Sequence, residues 1–164
     1  MLSDALIKTG HRRHPERELS RRFSEAVAGG VPLAVVAVDA DELKTLNDTR
    51  GCLAGDAVLV EVARRIVDHV GETGSVSRHA GDGFIVVPPG QRKSEAARPA
   101  EDLRRAIIAE PVDLRHASCR IKETNVVASL GAAEMDADSL AASGRPDVLL
   151  HAAGGALPAA KCAG

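Results

Sequence analysis

Residues 32–70 read PLAVVAVDADELKTLNDTRGCLAGDAVLVEVARRIVDHV, and the reading of this stretch decides the fold. It opens on an uninterrupted apolar run of strand length, Pro32 to Val38. A run without alternation suits a central strand covered by helices on both faces, because neither face then meets water. The run ends at an acid, Asp39. From Ala54 to Val70 the period changes, with Val58, Val62, Ile66 and Val70 at i, i+4 steps. That stripe predicts a long helix packed on the sheet and closed by Gly71.

Working outward, Leu19, Phe23 and Val27 predict an amphipathic helix from about Pro15 to Ala28, ended by Gly29 and Gly30. Its arginines (Arg17, Arg21, Arg22) are interleaved with Glu16, Glu18 and Glu25 and read as a solvated face. Downstream, the β-prone runs SVSRH and FIVVP flank Ala80-Gly81-Asp82-Gly83, a hairpin signal. A third helix is predicted from Glu95 to Glu110, with Leu103 and Ile107 on its apolar side. β-Prone runs follow between Val112 and Ala133, then a short helix from Pro146 to Gly155. Gly154 and Gly155 should fray that helix, leaving residues 156–164 as a loose tail. The order helix, strand, helix, hairpin, helix, strand, helix describes one α+β domain over residues 1–164, with 1–14 as an opening segment.

Composition bounds the function. Hydrophobic residues make up 45% and charged residues 27%, as in a folded globular protein. Phe23 and Phe84 are the two aromatic side chains, so the core must be built from aliphatic residues and alanine. The formal net charge of -2 supplies no field to gather nucleic acid or an anionic membrane, and neither is an expected partner. Cys52, Cys119 and Cys162 form no CxxC pair and are odd in number, which fits a reducing cytoplasm better than a disulfide framework. The amino terminus offers no secretory or membrane-spanning apolar stretch, so a cytoplasmic location is expected.

Two acids stand out chemically. If the strands ending at Asp39 and beginning near Asp82 are neighbours, their carboxylates converge at one sheet end, where hard oxygen ligands suit a divalent ion that neutralises a triphosphate. On spacing alone a plainer reading is favoured over that one. Asp39 can cap a helix beginning near Ala40, and Asp82 can serve the turn in Gly-Asp-Gly.

The stretch from Val35 to Ile66 resembles the GGDEF, or diguanylate cyclase, domain: an apolar strand, then Asp-x-Asp-x-x-Lys-x-x-Asn-Asp-x-x-Gly-His-x-x-Gly-Asp, then a helix. Asp39, Asp41, Lys44, Asn47, Asp48, Gly51, Gly55 and Asp56 keep that spacing, with Cys52 in place of His. Arg78-His79-Ala80-Gly81-Asp82-Gly83-Phe84 falls where Arg-x-Gly-Gly-Asp/Glu-Glu-Phe belongs, and VVASLGAAE resembles a later strand of the family. The likeness runs from the segment at Asp4 to the last helix, and no fused sensor domain is expected beside it.

The resemblance implies a palm-type, ferredoxin-like fold with a mostly antiparallel five-stranded sheet flanked by helices. It implies that two such domains face each other, each holding GTP with Mg2+ or Mn2+, and make cyclic di-GMP by attack of each ribose 3′-hydroxyl on the other's α-phosphate. By position, Asn47 and Asp56 would face the guanine edge, with Lys44, Ala80 and Gly81 also about the nucleotide. Asp39, the Ala40 carbonyl and Asp82 would hold metal, and Asp82 would be the surviving signature acid. A homodimer or a regulatory protein is the partner the resemblance implies.

The departures bear on catalysis. Gly83 stands where the family has its second signature acid, and loss of one preorganised group commonly costs about 10²–10³ in rate. Gly154 replaces the lysine, and Leu157-Pro158 the Gly-Arg, that meet the triphosphate, although Lys161 could reach round to the same place. The inhibitory product site, Arg-x-x-Asp, would fall on Gly71-Glu72-Thr73-Gly74 and is absent. The expectation is a degenerate domain that binds a guanine nucleotide with little or no cyclase activity. An altered metal-dependent nucleotidyl enzyme and a nucleotide-independent interaction scaffold are the alternatives.

Overall fold

The apolar run at Pro32 becomes the middle of a sheet in the computed structural model, which describes residues 15–71, 73–79, 81–88, 97–115, 117 and 122–163. In chain order the elements are α1 (Pro15–Gly29), β1 (Leu33–Ala40), α2 (Leu43–Arg50), α3 (Cys52–Val70), β2 (Ser75–His79) and β3 (Gly83–Val87). They continue with α4 (Ala97–Ile108), β4 (Val112–Asp113), β5 (Glu123–Thr124), β6 (Ala128–Met135), α5 (Ala137–Ser143) and α6 (Asp147–Ala163). The main sheet has the order β2-β3-β1-β6, and each of its pairs is antiparallel.

Alternation along β1 divides the core. Val36, Val38 and Ala40 join Val58, Val62 and Ile66 of α3 and Leu103 and Ile107 of α4 on one face. Leu33, Val35 and Ala37 join Leu19 and Phe23 of α1, Leu140 of α5 and Leu149 and Ala153 of α6 on the other. Both faces of β1 are dry, which is why its sequence shows no polar alternation. Arg65 of α3 is buried and ties the α3 layer to the end of α4. Its guanidinium donates to the carbonyls of Ile107 (2.6 Å), Glu110 (2.7 Å) and Pro111 (3.3 Å), and its Nε pairs with Glu61. A cation there satisfies carbonyls that the end of a helix leaves without partners.

Three expectations need correction. Among the described residues the main sheet has four strands, not five: after α4 come the two-residue strands β4 and β5, paired Val112 to Thr124 and Asp113 to Glu123. Val112, Leu114 and Ala117 are buried in the α3–α4 core, so the segment fills that layer instead of extending the sheet edge. Asp39 does not cap a helix, because β1 runs through it to Ala40 and the helical turn begins only at Leu43. The carboxyl-terminal residues are not a loose tail, since α6 continues past Gly154 and Gly155 to Ala163 with Pro158 inside it. The proline forfeits the bond its N–H would make to the Gly154 carbonyl, but Leu149 and Ala153 are fully buried on the sheet and outweigh that loss. Gly131 of β6 permits the approach: a Cβ there would stand 2.2 Å from the Ala153 carbonyl oxygen.

Candidate functional site

The chain leaves β1 through Asp41 and Glu42. The Asp41 N–H donates to the Val127 carbonyl at 2.8 Å, and Glu42 takes a left-handed conformation (φ 59°) before α2 begins. For a residue with a Cβ this geometry costs about 1–2 kcal/mol, which the surrounding bonds must offset. The turn brings Lys44 and Asn47 round on α2, Lys44 exposed and Asn47 half-buried. Gly51, at φ 90°, then reverses the chain between α2 and α3, with its N–H donating to the Asn47 carbonyl at 2.8 Å.

That reversal sets Asn47 directly over Gly55. A Cβ at Gly55 would stand 2.0 Å from Asn47 Oδ1, so only glycine leaves room for the carboxamide. Asn47 Oδ1 is buried and has no hydrogen-bond partner among the described residues. Such an acceptor is costly to leave unsatisfied, and a ligand N–H is what it lacks. Asp56, the next residue after Gly55, is half-buried beside it. A carboxamide oxygen and a carboxylate offer acceptors to the adjacent ring N–H and amino group of guanine. An open cleft of 230 Å³ lies against α2 and the approach to β6, lined by Asp41, Thr45, Leu46, Thr49, Val126 and Val127. It does not include Asn47 or Asp56.

The other end of the site is built on the β1–β3 register. Asp39 sits opposite Gly83, with Asp82 one residue earlier at the hairpin turn. The acid expected at position 83 would therefore have stood directly across from Asp39. Gly81 adopts φ 69°, and Arg78 braces the turn by donating from Nε (2.9 Å) and Nη2 (2.5 Å) to the Gly81 carbonyl. Ala80 lies outside the described residues. Asp82 is half-buried and the Ala40 backbone is buried in the strand.

Position 39 follows Val35 and Ala37 on the α6 side of the sheet, and there it meets Lys161 from the last turn of α6. The ammonium donates to Asp39 Oδ2 and stands 3.4 Å from Asp41 Oδ1. Asp41 Oδ2 accepts from Ser129 Oγ at 2.7 Å. The hydrogen bond to Asp39 outweighs partial burial and holds the Lys161 pKa above the ordinary lysine value. Sequence reasoning had Lys161 reaching round toward the triphosphate, but missed its pairing with Asp39 and Asp41 and the bond from Ser129. The usable signal was its helical phase, since Lys161 lies about one turn beyond Pro158 on the same helix.

The chemistry of Asp39, Asp41 and Asp82 suits a hard divalent ion, but the first two are already paired with a cation. Among the described residues no group of three or more His, Cys, Asp or Glu side chains is placed to hold a metal. Asp39 and Asp41 are instead neutralised by Lys161. With Lys161 in place the donor set is not free to take Mg2+ or Mn2+.

The fold, the Asn47–Gly55–Asp56 arrangement and the hairpin signature define a nucleotide-cyclase-type domain, and comparison with known proteins identifies the family. The diguanylate cyclase, GGDEF domain family matches residues 2–164, and the chain belongs to it. The response regulator PleD of Caulobacter vibrioides is 31% identical over 130 residues, a match covering 79% of this chain and 28% of PleD. The chain thus spans little more than a quarter of that relative's length. Among solved structures, the GGDEF domain of TpbB from Pseudomonas aeruginosa superposes with a TM-score of 0.80 at 31% identity, covering 98% of this chain and 89% of that one. The GGDEF domain of DgcB from Caulobacter crescentus, solved in complex with c-di-GMP, gives 0.82 at 26% identity, covering 99% and 91%. Among the described residues no helix is long and apolar enough to cross a membrane.

Proposed function

We propose that this chain is a degenerate GGDEF domain that binds a guanine nucleotide through Asn47, Asp56 and Lys44 and turns it over little or not at all. The observation that carries this reading is the buried Asn47 Oδ1, without a hydrogen-bond partner among the described residues, held over Gly55, the residue before Asp56. An internal acceptor with no internal donor is consistent with a site whose partner arrives from solution. Against turnover stand Gly83 opposite Asp39, Gly154 and Pro158 on α6, and the ammonium on the acid pair. Asp82 would be the remaining signature acid, with Gly81 nearest the phosphates and Asp39 and the Ala40 carbonyl as metal-facing groups once Lys161 is displaced. The domain would act in the cytoplasm as one folded unit in a cyclic di-GMP signalling pathway, as a homodimer or with a regulatory protein.

Calorimetric titration with GTP, GDP and cyclic di-GMP tests binding, and mass spectrometry of a GTP incubation with Mg2+ tests turnover. The expected result is GTP or GDP binding that Asn47→Ala weakens by about tenfold, the loss of roughly one well-made hydrogen bond. Little or no cyclic di-GMP should form. No binding of any of the three leaves the scaffold reading, and clear product at modest enzyme loading refutes degeneracy.

A further inference from the structure

The acid end of the sheet carries its own cation, and its placement follows from the fold. Alternation along β1 turns Asp39 toward α6, while the contact permitted by Gly131 holds α6 against β6 and so directs its last turn toward the acids. The Lys161 ammonium pairs there with both carboxylates, whose side chains are mostly covered (19% exposed for Asp39, 15% for Asp41), while the lysine side chain is 45% exposed. Ser129 holds the remaining Asp41 oxygen. Positions 154 and 158, nearer the start of the same helix, carry no charge, so the cationic role on this helix falls to Lys161.

We infer that Lys161 is a resident counter-ion that competes with divalent metal for Asp39 and Asp41, so that metal binds only when the last turn of α6 releases its lysine. This deepens the reading above and rests on it for the assignment of Asp39 as the metal-facing acid. The physical reason is that ammonium and dication need the same carboxylate lone pairs. A dication on Asp39 would sit about 2 Å from the oxygen now facing the ammonium, and two cations cannot share so small and partly covered a space. An exposed lysine paired with one exposed acid would be worth little, but here two largely covered acids converge on one ammonium.

The test uses the full chain and Mn2+ alone, with no nucleotide, so a failed guanine reading and a failed counter-ion reading give separate signals. Mn2+ affinity is measured by the loss of the free-ion paramagnetic resonance signal for the wild type, Lys161→Met and Lys161→Arg. Circular dichroism confirms folding, and Lys161→Gln replaces the methionine variant if that one does not fold. Lys161→Met should bind Mn2+ about tenfold more tightly than wild type, a ratio equal to roughly 1.4 kcal/mol. Lys161→Arg should match wild type, and Asp39→Asn in the Lys161→Met background should erase the gain. Equal Mn2+ affinity in wild type and the neutral variant, including no binding by either, overturns the inference. So does a gain that survives Asp39→Asn.

Discussion

The Asn47 side and the Asp39 side of the site are a few residues apart in the chain, yet they are in opposite states. On α2 a buried acceptor faces Gly55 with no donor among the described residues, so its hydrogen-bonding capacity is unspent there. At the end of β1 two carboxylates already meet Lys161, and Asp41 also meets Ser129. The difference separates a family's binding geometry from its charge balance. A carboxamide seated over a glycine keeps its use as long as two helices keep their spacing. An acid end depends on groups contributed by several elements, and Gly83, Gly154 and Pro158 each remove one of those expected from the family while Lys161 supplies a different one.

The comparison is most severely broken by moving α6. Gly131→Ala puts a methyl into the Ala153 carbonyl, a backbone atom that cannot swing aside. Stability should fall by about 1–3 kcal/mol, the usual range for overpacking. Chemical denaturation would measure it, and a change under ~0.5 kcal/mol would show that α6 does not depend on this contact. Because Lys161 travels with α6, this variant should also free the acid pair while leaving the Asn47 side intact.

A smaller effect should come from the opposite side. Gly55→Ala drives its Cβ into Asn47 Oδ1, a side-chain atom that can rotate away. Guanine nucleotide affinity should drop about tenfold, with stability reduced by no more than ~1 kcal/mol. Calorimetry beside a denaturation curve separates the two. An unchanged nucleotide affinity would mean that the carboxamide position is not what the ligand reads.

The smallest effect concerns the α3 support common to both sides. Hydrogen bonding by Arg64, with Arg65 adding to it, lowers the Glu61 carboxyl from an ordinary 4.5 to about 2 despite partial burial. A depressed folded-state value stabilises the fold above the unfolded value, and that contribution is lost as pH falls from about 4.5 toward about 2. Glu61→Gln should therefore lower the urea midpoint modestly near neutrality, converge with the wild type near pH 2, and so flatten the pH dependence in that window. A slope that persists in the variant would assign the acid sensitivity to other carboxylates.

Much of the fold was legible in the sequence because its signals are local. The non-alternating run of β1, the hairpin around Gly81 and the four-residue stripe of α3 are all found where periodicity and turn chemistry put them. The short helices α2 and α5 were missed, since eight and seven residues hold barely two turns and give no stable period. The separate pairing of β4 with β5 was missed for the same reason, as two-residue strands have no alternation to read. On the candidate site, the closeness of Asn47 to Gly55 follows from their spacing, but Asp41 with Ser129 and Lys161 with Asp39 could not be read from it. The second of these pairs spans 122 positions of sequence.

The sequence by itself determined the family, because that rests on the identity of residues at fixed short spacing, and it placed Asn47, Gly55, Asp56 and Gly83 where the proposed site needs them. Only the tertiary structure decided what the remaining acids do. That depended on α6 surviving Gly154, Gly155 and Pro158, on Gly131 bringing it close to β6, and on alternation turning Asp39 to the same face. Composition argued against that helix, but burying Leu149 and Ala153 on the sheet stabilises it more than the proline and glycines weaken it, and the lysine at its far end meets the acids as a consequence.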